Sequence, residues 1–355
     1  MRTGAGGSID LTVRDVIAET PDACSIVFEI PEQDKARLQY LPGQFLTMWV
    51  PSEERGAVAR SYSLSSAPGL DDSLKVTVKR TAGGYASNWL CENLAAGDTI
   101  AVLPPSGRFT PANLHDDLLL FAGGSGITPV ISILKTALVM GTARIHLVYA
   151  NKDSGSVIFN DELADLEARY AGRVVIRHWL DAEHGFPTVQ RVVDEARANL
   201  DSQVYVCGPP PFMDTVAEGL RIAGVPRKSV HREVFSSLTG DPFSIEAVRE
   251  PGKQVAAHII AGEPGDVADT VVRIAGESLR FPWPRERNLV EVLLERGVEV
   301  PYSCRSGECG SCACSVISGK VEMARSDILD EEDIASGYIL GCQARPVSPA
   351  VEIEF

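Results

Sequence analysis

Cys304-Arg305-Ser306-Gly307-Glu308-Cys309-Gly310-Ser311-Cys312 places three cysteines with four and then two residues between them, and a fourth follows 29 residues later in Leu340-Gly341-Cys342-Gln343-Ala344-Arg345-Pro346. This is the plant-type spacing for a [2Fe–2S] cluster, with Cys304, Cys309, Cys312 and Cys342 as the thiolates. Each iron takes two thiolates, and the inorganic sulfides need backbone N–H donors close by, which the small residues Gly307, Gly310 and Ser311 permit. A zinc site would offer paired Cys-x2-Cys hooks, and here only Cys309 and Cys312 form one. A disulfide framework fits poorly with an acidic chain whose first residues do not read as an export signal. Cys314 reads as a small core residue beside the cluster, or as a substitute for one of the four ligands.

A chain of 355 residues exceeds what one core can hold, so two or three domains are expected. Its 45% apolar and 23% charged residues are those of a globular protein. The net charge of −15 argues against nucleic acid and permits docking onto a basic protein partner. The longest apolar runs, such as Leu118-Leu119-Leu120-Phe121-Ala122, fall far short of the roughly 20 residues that span a bilayer, so no membrane span is expected. Residues 1–11 lack the apolar segment of a signal peptide, and a cytoplasmic location follows as the expectation.

Residues 1–112 alternate in short β-branched runs at 9–16, 24–30, 45–50, 58–64, 74–79 and 99–103, punctuated by Pro-Gly turns, which predicts an antiparallel β-barrel with one helix from Tyr85. On the strand Arg60-Ser61-Tyr62-Ser63, Arg60 and Tyr62 share one face, and a guanidinium beside an aromatic plane suits a flavin phosphate and ring. Gly83-Gly84-Tyr85-Ala86-Ser87 opens the helix, where free N–H groups favour a pyrophosphate, although a Gly-Gly helix start also serves as a plain turn.

Residues 113–236 alternate strand and helix, predicting an α/β domain with a parallel sheet covered on both faces: strands at 118–122, 145–149, 174–179, 204–207 and 230–234, helices at 129–140, 160–171, 189–198 and 212–223. After its first strand, Gly123-Gly124-Ser125-Gly126-Ile127-Thr128-Pro129 offers glycines for close approach to a dinucleotide, Thr128 as a helix cap and Pro129 where a missing N–H costs nothing. The fourth strand ends in Cys207-Gly208-Pro209-Pro210-Pro211, a stiff lip at the ligand-facing edge of the sheet, or a buried structural cysteine before a loop. Residues 237–268 read as a linker, with a possible strand at 254–261. Residues 269–355 open with a hairpin turned at Gly276-Glu277, then a helix at 289–296, the cysteine loop, a strand at 314–317, an acidic helix at 330–336 and a strand at 351–354. The acidic run reads as a solvated face or a docking patch.

Taken in order, Arg-Ser-Tyr-Ser at 60–63, Gly-Gly-Tyr-Ala-Ser at 83–87, Gly-Gly-Ser-Gly-Ile-Thr-Pro at 123–129, Cys-Gly-Pro-Pro-Pro at 207–211, Glu-Val-Phe at 233–235 and the cysteine set resemble the ferredoxin–NADP reductase superfamily, in its class with a plant-type ferredoxin domain, a β-grasp fold of α+β type, fused at the carboxyl end. The resemblance covers nearly the whole chain. It implies that Arg60 holds flavin phosphate, Tyr62 stacks on the flavin, Ser63 approaches its N5, and residues 84–87 hold the FAD pyrophosphate, with Ser61, Lys79 and Gly83 beside them. It further implies that Gly123, Gly124, Gly126, Thr128 and Gly208 line the nicotinamide dinucleotide site, that Cys207 and Glu233 face the nicotinamide–flavin contact, and that Phe235 lies near the flavin ring. FMN replaces FAD in related reductases of phthalate-type oxygenases, so FAD is the expectation and FMN the alternative.

Superfamily members that select NADPH resemble one another in a Ser and an Arg, looked for here after the second strand, where Asn151-Lys152-Asp153-Ser154 offers a carboxylate that would repel a 2′-phosphate. NADH is therefore expected, with Asp153 reading the ribose. The implied role is an electron-transfer reductase passing electrons from NADH through FAD and the [2Fe–2S] cluster to a separate terminal iron oxygenase. The phrases Val-Lys-Arg-Thr-Ala-Gly-Gly-Tyr-Ala-Ser-Asn-Trp-Leu at 78–90 and Leu-Pro-Pro-Ser-Gly at 103–107 look most like reductases serving Rieske-type monooxygenases of steroids, with those serving aromatic CoA-thioester epoxidases or arene dioxygenases close behind. A redox-sensing or docking iron–sulfur protein is the reading from another class, and the joint presence of Arg60, Tyr62, Ser63, Cys207 and Glu233 argues against it.

Overall fold

The computed structural model describes residues 8–52, 56–235, 237–238, 242–243, 267–274, 276–298, 300–326, 328–329 and 331–355. The chain divides into two compact units, Asp10–Phe235 and Ser236–Phe355, the latter grouped with Met1–Ile9. Most of the expected linker, and the whole of the strand expected at 254–261, lie outside the described residues. The linker ends earlier than expected, because Val267 and Ala268 already pair with Pro284 and Trp283 in a strand.

In the first unit, β1 (Ile9–Thr20), β2 (Ala23–Phe28), β3 (Phe45–Ser52), β4 (Gly56–Ser63), β5 (Leu74–Lys79) and β6 (Thr99–Ser106) form a sheet in the order β4-β3-β6-β1-β2-β5. Its edges meet where Leu64, just past β4, bridges Val76 of β5, and the Ser65 N–H donates to the Lys75 carbonyl at 2.7 Å. That closure makes the expected barrel, filled by Leu11, Ile26, Phe28, Leu46, Met48 and Val76. Helix α1 (Tyr85–Asn93) starts where the Gly-Gly pair predicts, with Gly84 as its N-cap.

The same unit continues with β7 (Leu118–Gly123), α2 (Ile127–Met140), β8 (Ile145–Asn151), α3 (Asn160–Arg169), β9 (Val174–Leu180), the single turn α4 (Asp181–His184), α5 (Val189–Arg197), β10 (Gln203–Cys207), α6 (Pro210–Ala223) and β11 (Val230–Glu233). These strands are parallel in the order β11-β10-β7-β8-β9. Along β7, Leu118 and Leu120 pack in one apolar cluster while Leu119 and Phe121 pack in another, so both faces of the sheet are covered. Strand order reverses between β7 and β10, and the loops after those two strands flank the crevice where open α/β sheets take ligands. Thr128 does not cap the helix as expected. A 3-10 turn, Gly124–Gly126, makes Gly126 the N-cap; Thr128 lies in the first turn and its hydroxyl donates to the Ser125 carbonyl at 3.1 Å.

Helix α2 is buried along nearly all its length, because the sheet lies on one side and the barrel on another. Ser132 Oγ donates to the barrel's Ser66 carbonyl at 2.6 Å. Lys135 Nζ lies 2.9 Å from Asp71 of the barrel and 2.9 Å from Glu162 of α3.

In the second unit, β12 (Val267–Ile274) and β13 (Glu277–Pro284) form the expected hairpin, and α7 (Leu289–Glu295) follows. Beyond the cysteine loop come β14 (Ala313–Ser318), β15 (Val321–Met323), α8 (Glu331–Ala335), β16 (Tyr338–Leu340), β17 (Ala344–Pro346) and β18 (Ala350–Glu354). The sheet order β13-β12-β18-β14-β16, with β12 parallel to β18, wraps α7 over a core of Trp283, Leu289, Leu293, Leu340 and Ile353. Short strands β15 and β17 pair with each other and were not foreseen, since three-residue runs carry no readable period. Cys314 is a core residue of β14, paired with Ile339.

Replacing Lys135 with Met should leave Asp71 and Glu162 facing each other without their cation. Both carboxylates are about a third exposed, so the expected loss is about 1–3 kcal/mol rather than that of a fully buried pair. An unchanged thermal unfolding midpoint in Lys135→Met would show that these ion pairs do not hold barrel and sheet together.

Candidate functional site

The cysteine loop needs backbone conformations that side chains resist. Gly307 and Gly310 have φ of +82° and +70°, and a Cβ on Gly307 would lie 3.0 Å from the Arg325 carbonyl oxygen. Cys304, Cys312 and Cys342 are buried and Cys309 is half-buried. The thiols are linked one to the next in the order Cys309, Cys304, Cys342, Cys312, so that all four belong to one group. Among the described residues no three His, Cys, Asp or Glu side chains gather as a single-ion site. Four thiols are the donor number that two irons take.

Backbone amides aim at these sulfurs. Ser306 and Glu308 N–H donate to Cys304 Sγ at 3.4 and 3.3 Å, Cys304 N–H to Cys309 Sγ at 3.4 Å, and Cys342 N–H to Cys312 Sγ at 3.4 Å. Hydrogen bonds from Cys309 and Cys342, with these amides, pull Cys304 well below the ordinary thiol range, while the same contacts push Cys309 and Cys342 up. At Cys304 that is the environment a thiolate ligand requires.

In the barrel, β4 presents the predicted strand. Tyr62 pairs with Leu46 and Ser63 with Phe45 of β3, so Arg60 and Tyr62 lie on one face and Ser61 and Ser63 on the other. Arg60 donates to the Ala59 carbonyl at 2.7 Å, and burial pushes the Tyr62 hydroxyl up, keeping it neutral. Ser61 shares a hydrogen bond with Thr47 at 2.9 Å, and Ser63 is buried. No side chain caps the start of α1. Ser87 Oγ instead accepts the Thr81 N–H at 3.0 Å and draws the preceding loop over Gly83 and Gly84, while Tyr85 and Ala86 form the helix's first turn. An uncapped helix start suits an anionic ligand, as the resemblance implies for FAD.

At the sheet edge, Gly126 lies so close to the loop after β10 that a Cβ would sit 2.1 Å from the Cys207 carbonyl oxygen, while Gly123 and Gly208 press against Phe212. Lys79 of the barrel reaches this loop, its Nζ 3.9 Å from where a Gly124 Cβ would be. Cys207 and Glu233 pair across β10 and β11. Cys207 is fully buried, and burial pushes its thiol well up, followed by the charge of Glu233; Glu233 is pushed up to about 8 by burial. Burial thus favours the neutral form of both groups. Phe235, just beyond β11, is half exposed.

Asp153 lies just beyond β8, as expected. Its carboxylate accepts the Ser156 hydroxyl at 2.7 Å and closes a local turn. The residues with unmet capacity are Asn151, at the end of β8, and Asp181, just after β9; Asn151 pairs with Leu180 across those strands. Asn151 Oδ1 and Nδ2 and Asp181 Oδ1 are buried without hydrogen-bond partners, although Asn151 lies near the Tyr149 hydroxyl. Orphaned polar atoms at the carboxyl ends of adjacent parallel strands are suited to ribose hydroxyls. The signal for Asp181, an acidic residue directly after the third strand, was present in the sequence.

Comparison with known proteins matches residues 10–110 to the oxidoreductase FAD-binding domain, 120–218 to the oxidoreductase NAD-binding domain and 272–347 to the 2Fe-2S iron-sulfur cluster binding domain. The chain is 52% identical over 348 residues to the ferredoxin reductase component of 3-ketosteroid-9-alpha-monooxygenase from Rhodococcus rhodochrous, covering 98% of this chain and 97% of that protein. The chain belongs to this family of three-domain ferredoxin reductases. The counterpart from Mycolicibacterium smegmatis is 47% identical over 350 residues, covering 98% of this chain and 97% of its own. Among solved structures, phthalate dioxygenase reductase, described as a modular structure for electron transfer from pyridine nucleotides to [2Fe-2S], matches with a TM-score of 0.55 at 26% identity over 98% of each chain. The reductase is thus an oxidoreductase with FAD-, NAD- and cluster-binding domains. No described helix is long and apolar enough to cross a membrane.

The raised value of Glu233 has a signed consequence. Its protonated form is favoured by folding, so its contribution is fullest below its ordinary value of 4.5 and is lost as pH rises toward about 8. Glu233→Gln, which cannot ionise, should gain on wild type by on the order of 1–3 kcal/mol between pH 5 and 8.5, read from unfolding midpoints. A difference that does not change with pH would contradict the buried-carboxyl assignment.

Proposed function

We propose that this reductase supplies electrons from NADH, in the cytoplasm, to a Rieske-type monooxygenase that hydroxylates 3-ketosteroids at position 9α. What supports the substrate class is the similarity to the Rhodococcus rhodochrous reductase component, at 52% identity along almost the whole chain. When bound, FAD accepts a hydride from the nicotinamide and the [2Fe–2S] centre carries single electrons, the conversion an iron oxygenase needs.

The chain's own residues place those groups. The glycine loop at 123–126 and Gly208 let the backbone approach the dinucleotide pyrophosphate, and Asn151 and Asp181 take the adenosine ribose. Arg60 and the start of α1 hold flavin phosphates, Tyr62 lies along the ring, and buried Ser63 stands beside it. Cys207 and Glu233, whose neutral forms burial favours, would border the nicotinamide. Cys304, Cys309, Cys312 and Cys342 would together ligate the two irons.

Cys309→Ser should abolish NADH-driven reduction of the one-electron acceptor cytochrome c while two-electron diaphorase activity persists, and loss of both together would count against a relay through the cluster. Asp181→Asn should raise the NADPH to NADH ratio of kcat/KM by about tenfold or more, since it removes the carboxylate that repels a 2′-phosphate. An unchanged ratio would return the selection to another residue.

A further inference from the structure

Cys24 of β2 and Cys91 of α1 lie 67 residues apart in sequence, yet their Sγ atoms are 2.7 Å apart. Both are free thiols. They open onto a cavity of about 210 Å³ lined also by Val16, Ala18, Thr20, Pro21 and Arg80. Cys24 is held on a strand whose residues are all buried, paired with Val78 of β5, and in the thiol form Cys91 Sγ donates to the Val78 carbonyl at 3.7 Å. Arg80 crosses above them, donating to the Cys91 carbonyl at 3.4 Å and to Glu92 at 2.5 Å.

We propose that Cys24 and Cys91 are a redox-active dithiol that hydrogen peroxide converts into an intramolecular disulfide. The two sulfurs are unequal. Cys24 is the buried member and donates its S–H; Cys91 is half-buried and accepts it. That hydrogen bond, and then the charge of Arg80, hold Cys91 below the ordinary thiol range against the effect of burial, whereas Cys24 is pushed up, first by the same hydrogen bond and then by burial. Cys91, the half-buried thiol beside Arg80 on the cavity wall, is also the one that peroxide reaches, which makes it the nucleophile. Its thiolate attacks peroxide, an S–O bond forms, the O–O bond breaks and hydroxide leaves, so the sulfur is oxidised by two electrons and the peroxide reduced. Cys24 sulfur then attacks Cys91 sulfur, the S–S bond forms, the S–O bond breaks and its oxygen departs with the Cys24 proton as water. The hydroxide takes up the proton that Cys91 released on ionising, and the sum is two thiols and one peroxide giving one disulfide and two waters. Closing 2.7 Å to the about 2.05 Å of a disulfide requires movement of well under an ångström.

The bond would fasten α1 to β2, and α1 carries the uncapped turn at 84–87 at its other end.

The test exposes the purified holoprotein to hydrogen peroxide, alkylates remaining thiols under denaturing conditions and maps the peptides. The expected result is a linked Cys24–Cys91 peptide two hydrogens lighter than its reduced parts, with the loss of two alkylatable thiols, both reversed by dithiothreitol. Cys91→Ser should abolish the link and leave Cys24 alkylatable; Cys24→Ser should leave Cys91 as a sulfenic acid trapped by dimedone. Alkylatable Cys24 and Cys91 after peroxide, Cys91 as sulfinic acid beside a free Cys24, or equal yields of links from these residues to cluster cysteines would each overturn the proposal. The wild-type map decides alone if a variant fails to fold.

Discussion

Main chain must approach main chain more closely than any side chain permits, and the nucleotide edge rests on that constraint. The loop after β7 meets the loop after β10 at Gly126, where even a methyl group would overlap the Cys207 carbonyl. The meeting occurs because the parallel strands reverse order between β7 and β10, which brings two loops about 80 residues apart in sequence to one crevice. Cys207 and Glu233 then follow by register, since β11 lies next to β10. The cysteine loop answers the same demand separately: Gly307 turns with a positive φ, and amides of neighbouring residues reach the sulfurs.

Charge is arranged differently at three places. Around Cys304, donated hydrogen bonds favour the thiolate, the form that binds iron. At Cys207 and Glu233, burial favours the neutral forms. At Cys24 and Cys91, a cation and a shared proton divide two like thiols into donor and acceptor. The cysteines are thus one residue type in three electrostatic settings, and sequence spacing alone distinguishes only the first.

Most of the architecture could be read before any coordinates. The glycine loop at 123–126 followed by an apolar helical run announced β7 and α2, and Cys-x4-Cys-x2-Cys announced the cluster loop, because both depend on local spacing. Misreadings came where a local rule met a competing one. Thr128 looked like a cap, but Ser125 and Gly126 coil into a 3-10 turn first and move the helix start. Asp153 is legible as a candidate ribose reader from its place after β8, whereas Asp181 becomes a candidate only once β8 and β9 are known to be adjacent. The proximity of Cys24 to Cys91 depends on how α1 folds back on β5 and β2, which no periodicity encodes.

The central claim is that electrons entering at the sheet edge reach the cluster within one polypeptide. Anaerobic titration of the purified protein with NADH, followed by visible absorption and low-temperature EPR, tests it most directly. Bleaching of the flavin accompanied by the rhombic signal of a reduced [2Fe–2S] centre is the predicted result; a flavin that bleaches fully while that signal never develops would contradict it.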